Sequence, residues 1–170
     1  MILISVVAVT VYNQTQEVDK ISSNNLTTTF SNGVIVMPRG DIPAFAKLVA
    51  SQSDDWSSVN FNGLVISKPQ ALYILSTAVS ENSSDDISVG VILQADKSYG
   101  ALDSGNISQE EYLDMSDRVS QGIIDKGDKC PMYAGVRVKG EADVSYDKLV
   151  KLFALVICKD YPDSISVSSL

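Results

Sequence analysis

The chain has 170 residues, of which 45% are hydrophobic and 20% charged, and its formal net charge is -8. This composition supplies a packed core and excludes a disordered chain, and the acidic balance disfavours nucleic-acid binding because a phosphate backbone repels an acidic surface. The absence of histidine excludes Ser-His-Asp and Cys-His catalysis and every histidine-ligated metal site, and two cysteines are too few for a four-cysteine zinc site. We expect neither a metal nor a cofactor.

The first twelve residues form a continuous apolar run rich in β-branched side chains, and a polar Ser/Thr/Asn stretch follows up to residue 29. Such a run suits either a buried strand or the hydrophobic part of an export signal or membrane anchor. It falls short of the roughly 20 apolar residues that span a bilayer. Because the run turns abruptly polar, we favour an export or anchor remnant plus a tether over residues 1–29.

Potential glycosylation sites also favour export. Asn-x-Ser/Thr acceptor motifs occur at Asn13, Asn25, Asn82 and Asn106. One or two such motifs would arise by chance in a chain so rich in Ser and Thr, but a Lys-poor, Ser/Thr/Asn-rich surface is typical of exported proteins. The expected location is extracellular, at the cell surface or in the cell wall.

An internal repeat organises the rest of the chain, at residues 59–79 and 136–154. Each segment begins with alternating apolar and polar residues, reaches a glycine (Gly63 or Gly140), and continues through a serine into an amphipathic helix. A polar turn and another alternating run follow each helix. The spacing of about 77 residues indicates a pair of units and not a solenoid.

Helix starts are marked by capping residues. Ser67 with Gln70 and Ser108 with Glu111 have capping-box spacing, Asp41 precedes Pro43, and Ser145 precedes the last amphipathic stretch. Four helices and about five short strands predict an α+β fold of two small repeat-like units, residues 30–100 and 101–170. Ser145 also has the Ser-x-x-Lys spacing of penicillin-binding enzymes, but their partner motifs are missing, so we interpret it as a helix cap.

The two cysteines admit two interpretations. Cys130 precedes a proline in a predicted loop, and Cys158 lies late in a predicted helix. Both can be buried small hydrophobic residues. Alternatively, a disulfide between them would clip the loop to the helix and contribute about 3 kcal/mol in the chain-entropy model.

The loop that contains Cys130 is the most suggestive segment for binding. It combines Asp128, Lys129, Pro131 and Tyr133, and Trp56 occupies the corresponding place before the first repeat strand. Aromatic rings in such loops offer flat contact area to sugars or peptides. The alternative is that the two rings only fill the junctions between helix and strand.

The second unit resembles the pseudomurein-binding repeat of methanogenic archaea and their viruses. The resemblance rests on the helix Ile107 to Val119, the Pro131-Met132-Tyr133 turn, the helix ending Leu152-Phe153-Ala154, and the segment Tyr161 to Val167. The first unit, from Trp56 to Ile92, is similar to a shorter form of the repeat, with Trp56-Ser57-Ser58 in place of the Pro-x-Tyr turn.

The resemblance implies non-covalent attachment of a surface protein, or of a wall-cleaving endoisopeptidase, to the pseudomurein cell wall. Those endoisopeptidases resemble transglutaminases and need a Cys-His-Asp set, which a chain without histidine cannot carry. We therefore expect a non-catalytic wall-binding module in which the loop Asp128 to Tyr133, with Arg137 on the following strand, contacts wall peptide or glycan. The alternative is a surface protein-protein interaction or adhesin-like domain in which the repeats serve only as scaffold.

Overall fold

The structure is a computed structural model that describes residues 28–81, 84–137 and 143–170. These residues form the helices α1 (Ile42–Ala50), α2 (Lys68–Ser80), α3 (Gln109–Asp125) and α4 (Tyr146–Cys158). They also form the strands β1 (Thr29–Ser31), β2 (Val34–Met37), β3 (Ser58–Phe61), β4 (Leu64–Ser67), β5 (Ile87–Val89), β6 (Asn106–Ser108), β7 (Tyr133–Gly135), β8 (Asp143–Ser145) and β9 (Ser164–Ser166). The predicted α+β class is confirmed.

The apolar N-terminal run predicted as an export or anchor segment lies outside the described residues. Among the described residues, no helix is long and apolar enough to cross a membrane. The predicted tether, however, extends two residues too far, because Thr28 is buried and Thr29 begins β1. The Thr28 backbone N–H and hydroxyl donate hydrogen bonds to the carboxylate of Asp41, at 2.9 and 2.7 Å. Asp41 therefore attaches the start of the described chain to the beginning of α1.

The described chain consists of two halves with the same plan. In each half a strand leads into a helix, a β-hairpin leads into a second helix, and a last strand returns to pair antiparallel with the first strand. The first half uses β2, α1, β3–β4, α2 and β5, and the second uses β6, α3, β7–β8, α4 and β9. The predicted duplication is confirmed in this topology, although Gly140, one of the two glycines that suggested it, lies outside the described residues.

The two hairpins match residue by residue at their helix ends. Lys68, the first residue of α2, donates its backbone N–H to the carbonyl of Ser57 at 2.8 Å. Tyr146, the first residue of α4, donates to the carbonyl of Met132 at 3.0 Å. Ser57 and Met132 therefore occupy equivalent places in the two halves.

Three serines begin three of the helices, as the sequence predicted. Ser67 and Ser108 each form a complete capping box, with Gln70 and Glu111 as the respective partners. Ser145 is at the N-cap of α4 with extended backbone angles, but its side chain makes no capping hydrogen bond. The capping pairs fix where α2 and α3 begin because they satisfy backbone N–H groups that have no acceptor inside the helix.

The two halves share one core. Helix α1 packs mainly on α4, and α2 packs on both α3 and α4, so the principal helix contacts run between the halves. The buried hydrophobic residues form one continuous cluster that includes Phe45, Leu72, Tyr112 and Phe153. The boundary predicted near residue 100 consequently marks where one repeat ends and the next begins along the chain. The two repeats do not have separate hydrophobic cores.

The segment that connects the halves lies directly on the second hairpin. The backbone N–H of Tyr99 donates to the carbonyl of Met132, and that of Leu102 donates to the carbonyl of Asp143, both at 3.1 Å. Between them, Gly100 is so close to β8 that a Cβ placed on it would lie 2.4 Å from the backbone nitrogen of Ser145. The connection depends on the absence of a side chain at this position.

Candidate functional site

A groove of about 450 Å³ lies in the second half, between α3 and the segment that contains β7. Its lining residues are Arg118, Val119, Gly122, Lys126, Pro131, Tyr133, Ala134, Gly135 and Arg137. Three of the predicted binding residues, Pro131, Tyr133 and Arg137, thus line one groove. Arg137 lies two residues beyond the end of β7 and not on the strand, which corrects its predicted position.

Arg118 joins the two walls of this groove. Its guanidinium donates two hydrogen bonds to Asp114 one turn earlier in α3, at 2.9 and 2.6 Å. The same Nη2 also donates to the backbone carbonyl of Gly135 in β7 at 2.7 Å. A guanidinium held on two sides by such bonds fixes the spacing between α3 and β7. The sequence interpretation placed Arg118 in the repeat motif but did not identify it as a site residue.

The charged side chains that line the groove are all cationic, although the chain as a whole is acidic. Its lining contains the cations Arg118, Lys126 and Arg137 and no Asp or Glu. Asp114 balances much of the charge of Arg118. Lys126 and Arg137 are exposed, and neither makes an ion pair or side-chain hydrogen bond with any residue of the described ranges. Two cationic groups therefore remain available to a ligand.

An exposed aromatic pair borders the groove. The rings of Tyr133 and Tyr99 meet edge to face with their centroids 5.5 Å apart. Tyr133 is 42% exposed and Tyr99 is 59% exposed, so Tyr133 does not fill a helix-strand junction. The sequence interpretation missed Tyr99, because its place beside Tyr133 depends on pairing with a segment more than 30 residues away.

Asp128 and Lys129 have a structural role and do not line the groove. The carbonyl of Asp128 accepts a hydrogen bond from the backbone N–H of Leu93 at 2.7 Å, and Cys130 N–H donates to the carbonyl of Leu93 at 2.9 Å. The Lys129 ammonium pairs with Asp96 at 2.7 Å. This part of the loop therefore holds the segment around Leu93, and neither residue is among those that line the groove with Tyr133.

Trp56 lies in a different cleft, where the two halves meet. This cleft has a volume of about 300 Å³ and is lined by Asp54, Asp55, Trp56, Ser57, Lys68, Gln94 and Asp147. The Lys68 ammonium lies 5.5 Å from the centroid of the Trp56 ring and 2.5 Å from a carboxylate oxygen of Asp147. The cleft and the groove share no lining residue, so the structure does not bring Trp56 together with Tyr133.

The two cysteines are free thiols, so the predicted disulfide between Cys130 and Cys158 is not formed. Cys130 is buried and its sulfur lies 3.8 Å from the carbonyl oxygen of Pro69 at the start of α2. Cys158 is exposed at the end of α4. Burial raises the pKa of the Cys130 thiol to about 12, so this thiol is protonated at neutral pH and is a poor nucleophile.

The difference in burial predicts different reactivity of the two thiols. In the native protein we expect a thiol reagent such as Ellman's reagent to modify Cys158 alone, and to modify both thiols after denaturation. Reaction at Cys158 should accelerate as the pH rises, because desolvation raises the pKa of that thiol as well. The absorbance of the released thiolate measures both results. A Cys158→Ser control should release none under native conditions, and rapid native reaction in that control would contradict the burial of Cys130.

Of the four predicted glycosylation sites, only Asn106 lies within the described residues. Its side chain is exposed at the first position of β6, so it is accessible for modification. Asn13, Asn25 and Asn82 lie outside the described residues.

No protein family, curated protein or solved structure matches this chain in the comparisons with known proteins. Within the described part of the chain, no group of three or more His, Cys, Asp or Glu side chains could hold a metal ion. The groove, with its cations and exposed tyrosines, is the arrangement best suited to bind a ligand.

Proposed function

We propose that this chain is a non-catalytic binding module that attaches an exported protein to a pseudomurein cell wall. The observation that carries the proposal is the groove, because it brings together Pro131, Tyr133 and Arg137 from the segment in which the sequence resembles a pseudomurein-binding repeat. Tyr133 is exposed at its edge, where it can meet a flat sugar or peptide surface.

The two halves of the duplication present different residues at the equivalent place of their hairpins. Tyr133 pairs with Ser145 across the second hairpin, and Ser58 pairs with Ser67 at the equivalent place in the first. The first half therefore has a serine where the second presents its binding tyrosine. We expect wall binding to depend on the second half, so that attachment uses one site on a chain of two repeats.

Sedimentation with purified pseudomurein sacculi tests the proposal. The full chain is expected to sediment with pseudomurein sacculi and to remain in the supernatant with bacterial murein sacculi. The double variant Tyr133→Ala, Arg137→Ala should bind about tenfold or more weakly, because a central aromatic residue and an arginine typically dominate such contacts. Lys129→Ala is the matched control, since it removes a cation of the same loop that points to Asp96 and lies outside the groove lining.

Two outcomes would contradict this proposal. If the folded chain does not sediment with pseudomurein sacculi, the function is not wall attachment, and the alternative of a surface protein-protein interaction domain is favoured. If the double variant binds as tightly as the unchanged chain, wall attachment remains but the groove is not the contact. Circular dichroism of each variant verifies that the fold is intact.

A further inference from the structure

We infer that the groove binds a carboxylated sugar unit, with Arg137 and Lys126 facing the carboxylate and the Tyr99–Tyr133 pair against the sugar ring. This inference rests on the proposed function and specifies the chemistry of its ligand. It follows from the charges that line the groove, from the way Arg118 is held, and from the exposed rings at its border.

The charges of the groove select an anion. Lys126 and Arg137 have no ion-pair partner within the described ranges, and the lining contains no carboxylate to neutralise them. Unpaired cations in one concave site raise the local concentration of anions. An arginine guanidinium matches the geometry of a carboxylate because it can donate two parallel hydrogen bonds.

Arg118 contributes a donor that is already in place. Its Nε and Nη2 atoms are engaged by Asp114 and Gly135, while its Nη1 makes no hydrogen bond to the described residues. Because the side chain is held by these bonds, little rotamer entropy is lost when a ligand oxygen accepts from it. The groove thus combines one fixed cation with two exposed ones.

The net charge of the chain restricts the size of the anion. At -8, the molecule repels an extended polyanion such as a nucleic acid. At physiological salt this repulsion is screened over about 8 Å, so a single carboxylate inside the groove experiences mainly the nearby cations. The site therefore suits isolated carboxylates spaced along an otherwise uncharged polymer.

The tyrosine pair favours a sugar as the carrier of the carboxylate. Two exposed rings in edge contact offer an apolar face next to hydroxyl groups that can donate and accept hydrogen bonds. The C–H face and hydroxyl groups of a sugar ring match both features. An acidic peptide would form ion pairs with the cations, but its carboxylates would not contact the faces of the tyrosine rings.

Titration of the full chain with small probes tests the inference. The probes are trigalacturonate, its methyl ester and a γ-linked triglutamate peptide, and amide chemical shifts in NMR spectra report both affinity and location. We expect trigalacturonate to bind in the millimolar range, to shift amides between residues 118 and 137, and to bind at least tenfold more tightly than the ester. Arg137→Gln and Lys126→Gln should each weaken binding several-fold, Tyr99→Ala should weaken it as well, and Lys129→Gln should not.

The outcomes separate this inference from the proposed function. If the ester binds as tightly as trigalacturonate, or if trigalacturonate causes no amide shifts, the role of the carboxylate is overturned. If triglutamate binds more tightly than trigalacturonate, the choice of a sugar is overturned. Sacculi whose carboxyl groups have been converted to amides provide the second arm. Loss of sedimentation with these sacculi supports the inference, whereas full retention overturns it and leaves wall attachment standing. If the chain binds trigalacturonate but does not sediment with any of the sacculi, the inference is supported and the proposed function is overturned.

Discussion

Replacement of Gly100 by alanine is expected to lower the free energy of unfolding by about 3 kcal/mol, at the upper end of the usual effect of overpacking. The added Cβ would lie 2.4 Å from the nitrogen of Ser145 and 2.6 Å from the carbonyl oxygen of Asp143. Both are backbone atoms of the second hairpin, so no side chain can turn aside to make room. Either the connecting segment or the hairpin must move, and the hydrogen bonds between them weaken.

Gly122→Ala is the matched control for this prediction. Gly122 lies inside α3 with open space where its Cβ would be placed, so alanine should raise the free energy of unfolding by about 0.5–1 kcal/mol through helix propensity. Urea unfolding followed by circular dichroism measures both changes. If Gly100→Ala unfolds at the same urea concentration as the unchanged protein, the close approach to β8 is wrong.

The second large loss of stability is expected from a substitution at the junction between the two halves of the chain. Asp147→Ala should lower the free energy of unfolding by about 2 kcal/mol, because it leaves the Lys68 ammonium, whose side chain is only 7% exposed, without its carboxylate. The remaining partners of the ammonium are the carbonyl oxygen of Asp54 at 2.8 Å and the faces of two aromatic rings, Trp56 and Tyr146. The value lies below that of a fully buried pair because the Asp147 side chain is 39% exposed and solvent screens the interaction.

An exposed ion pair supplies the control for the junction. Asp96→Ala removes the partner of Lys129 and should change the free energy of unfolding by less than about 1 kcal/mol, because the side chains of Lys129 and Asp96 are 39% and 72% exposed.

A double variant tests the buried charge directly. Adding Lys68→Met to Asp147→Ala should restore part of the lost stability, because it removes the buried charge that has no counter-ion. If the double variant is less stable than Asp147→Ala alone, Lys68 contributes mainly through its aromatic neighbours.

The sequence predicted the local structure well where a short motif determines it. The capping pairs at Ser67 and Ser108 gave the starts of α2 and α3, because these side chains satisfy backbone N–H groups within the same turn. The turn at Gly63 was also predicted, and the same Asn-Gly signal was present at Asn32-Gly33. Asn32 has φ 52 and Gly33 φ 80, the left-handed angles that a two-residue hairpin turn requires. The β1–β2 hairpin could thus have been predicted but was not.

The candidate site was only partly predictable. Pro131, Tyr133 and Arg137 are close in sequence, so they could be grouped as one loop and the residue expected on the strand after it. Arg118 and Lys126 join them only because α3 packs beside β7, and Tyr99 does so only through its backbone pairing with Met132. Trp56 was grouped with Tyr133 by analogy between the repeats, but the strand registers show that Ser58, and not Trp56, is the counterpart of Tyr133.

The sequence by itself determined the α+β class, the repeated hairpin-helix segment, the starts of α2 and α3, and the segment that supplies three groove residues. Each of these depends on interactions between residues that are neighbours along the chain. The tertiary structure alone decided that the halves share one core, that the two thiols stay apart, that Lys68 is buried against Asp147, and that three cations face one groove. Those features depend on which distant segments pack together. The packing is determined by burial of the apolar surface of the whole chain, and no local motif specifies it.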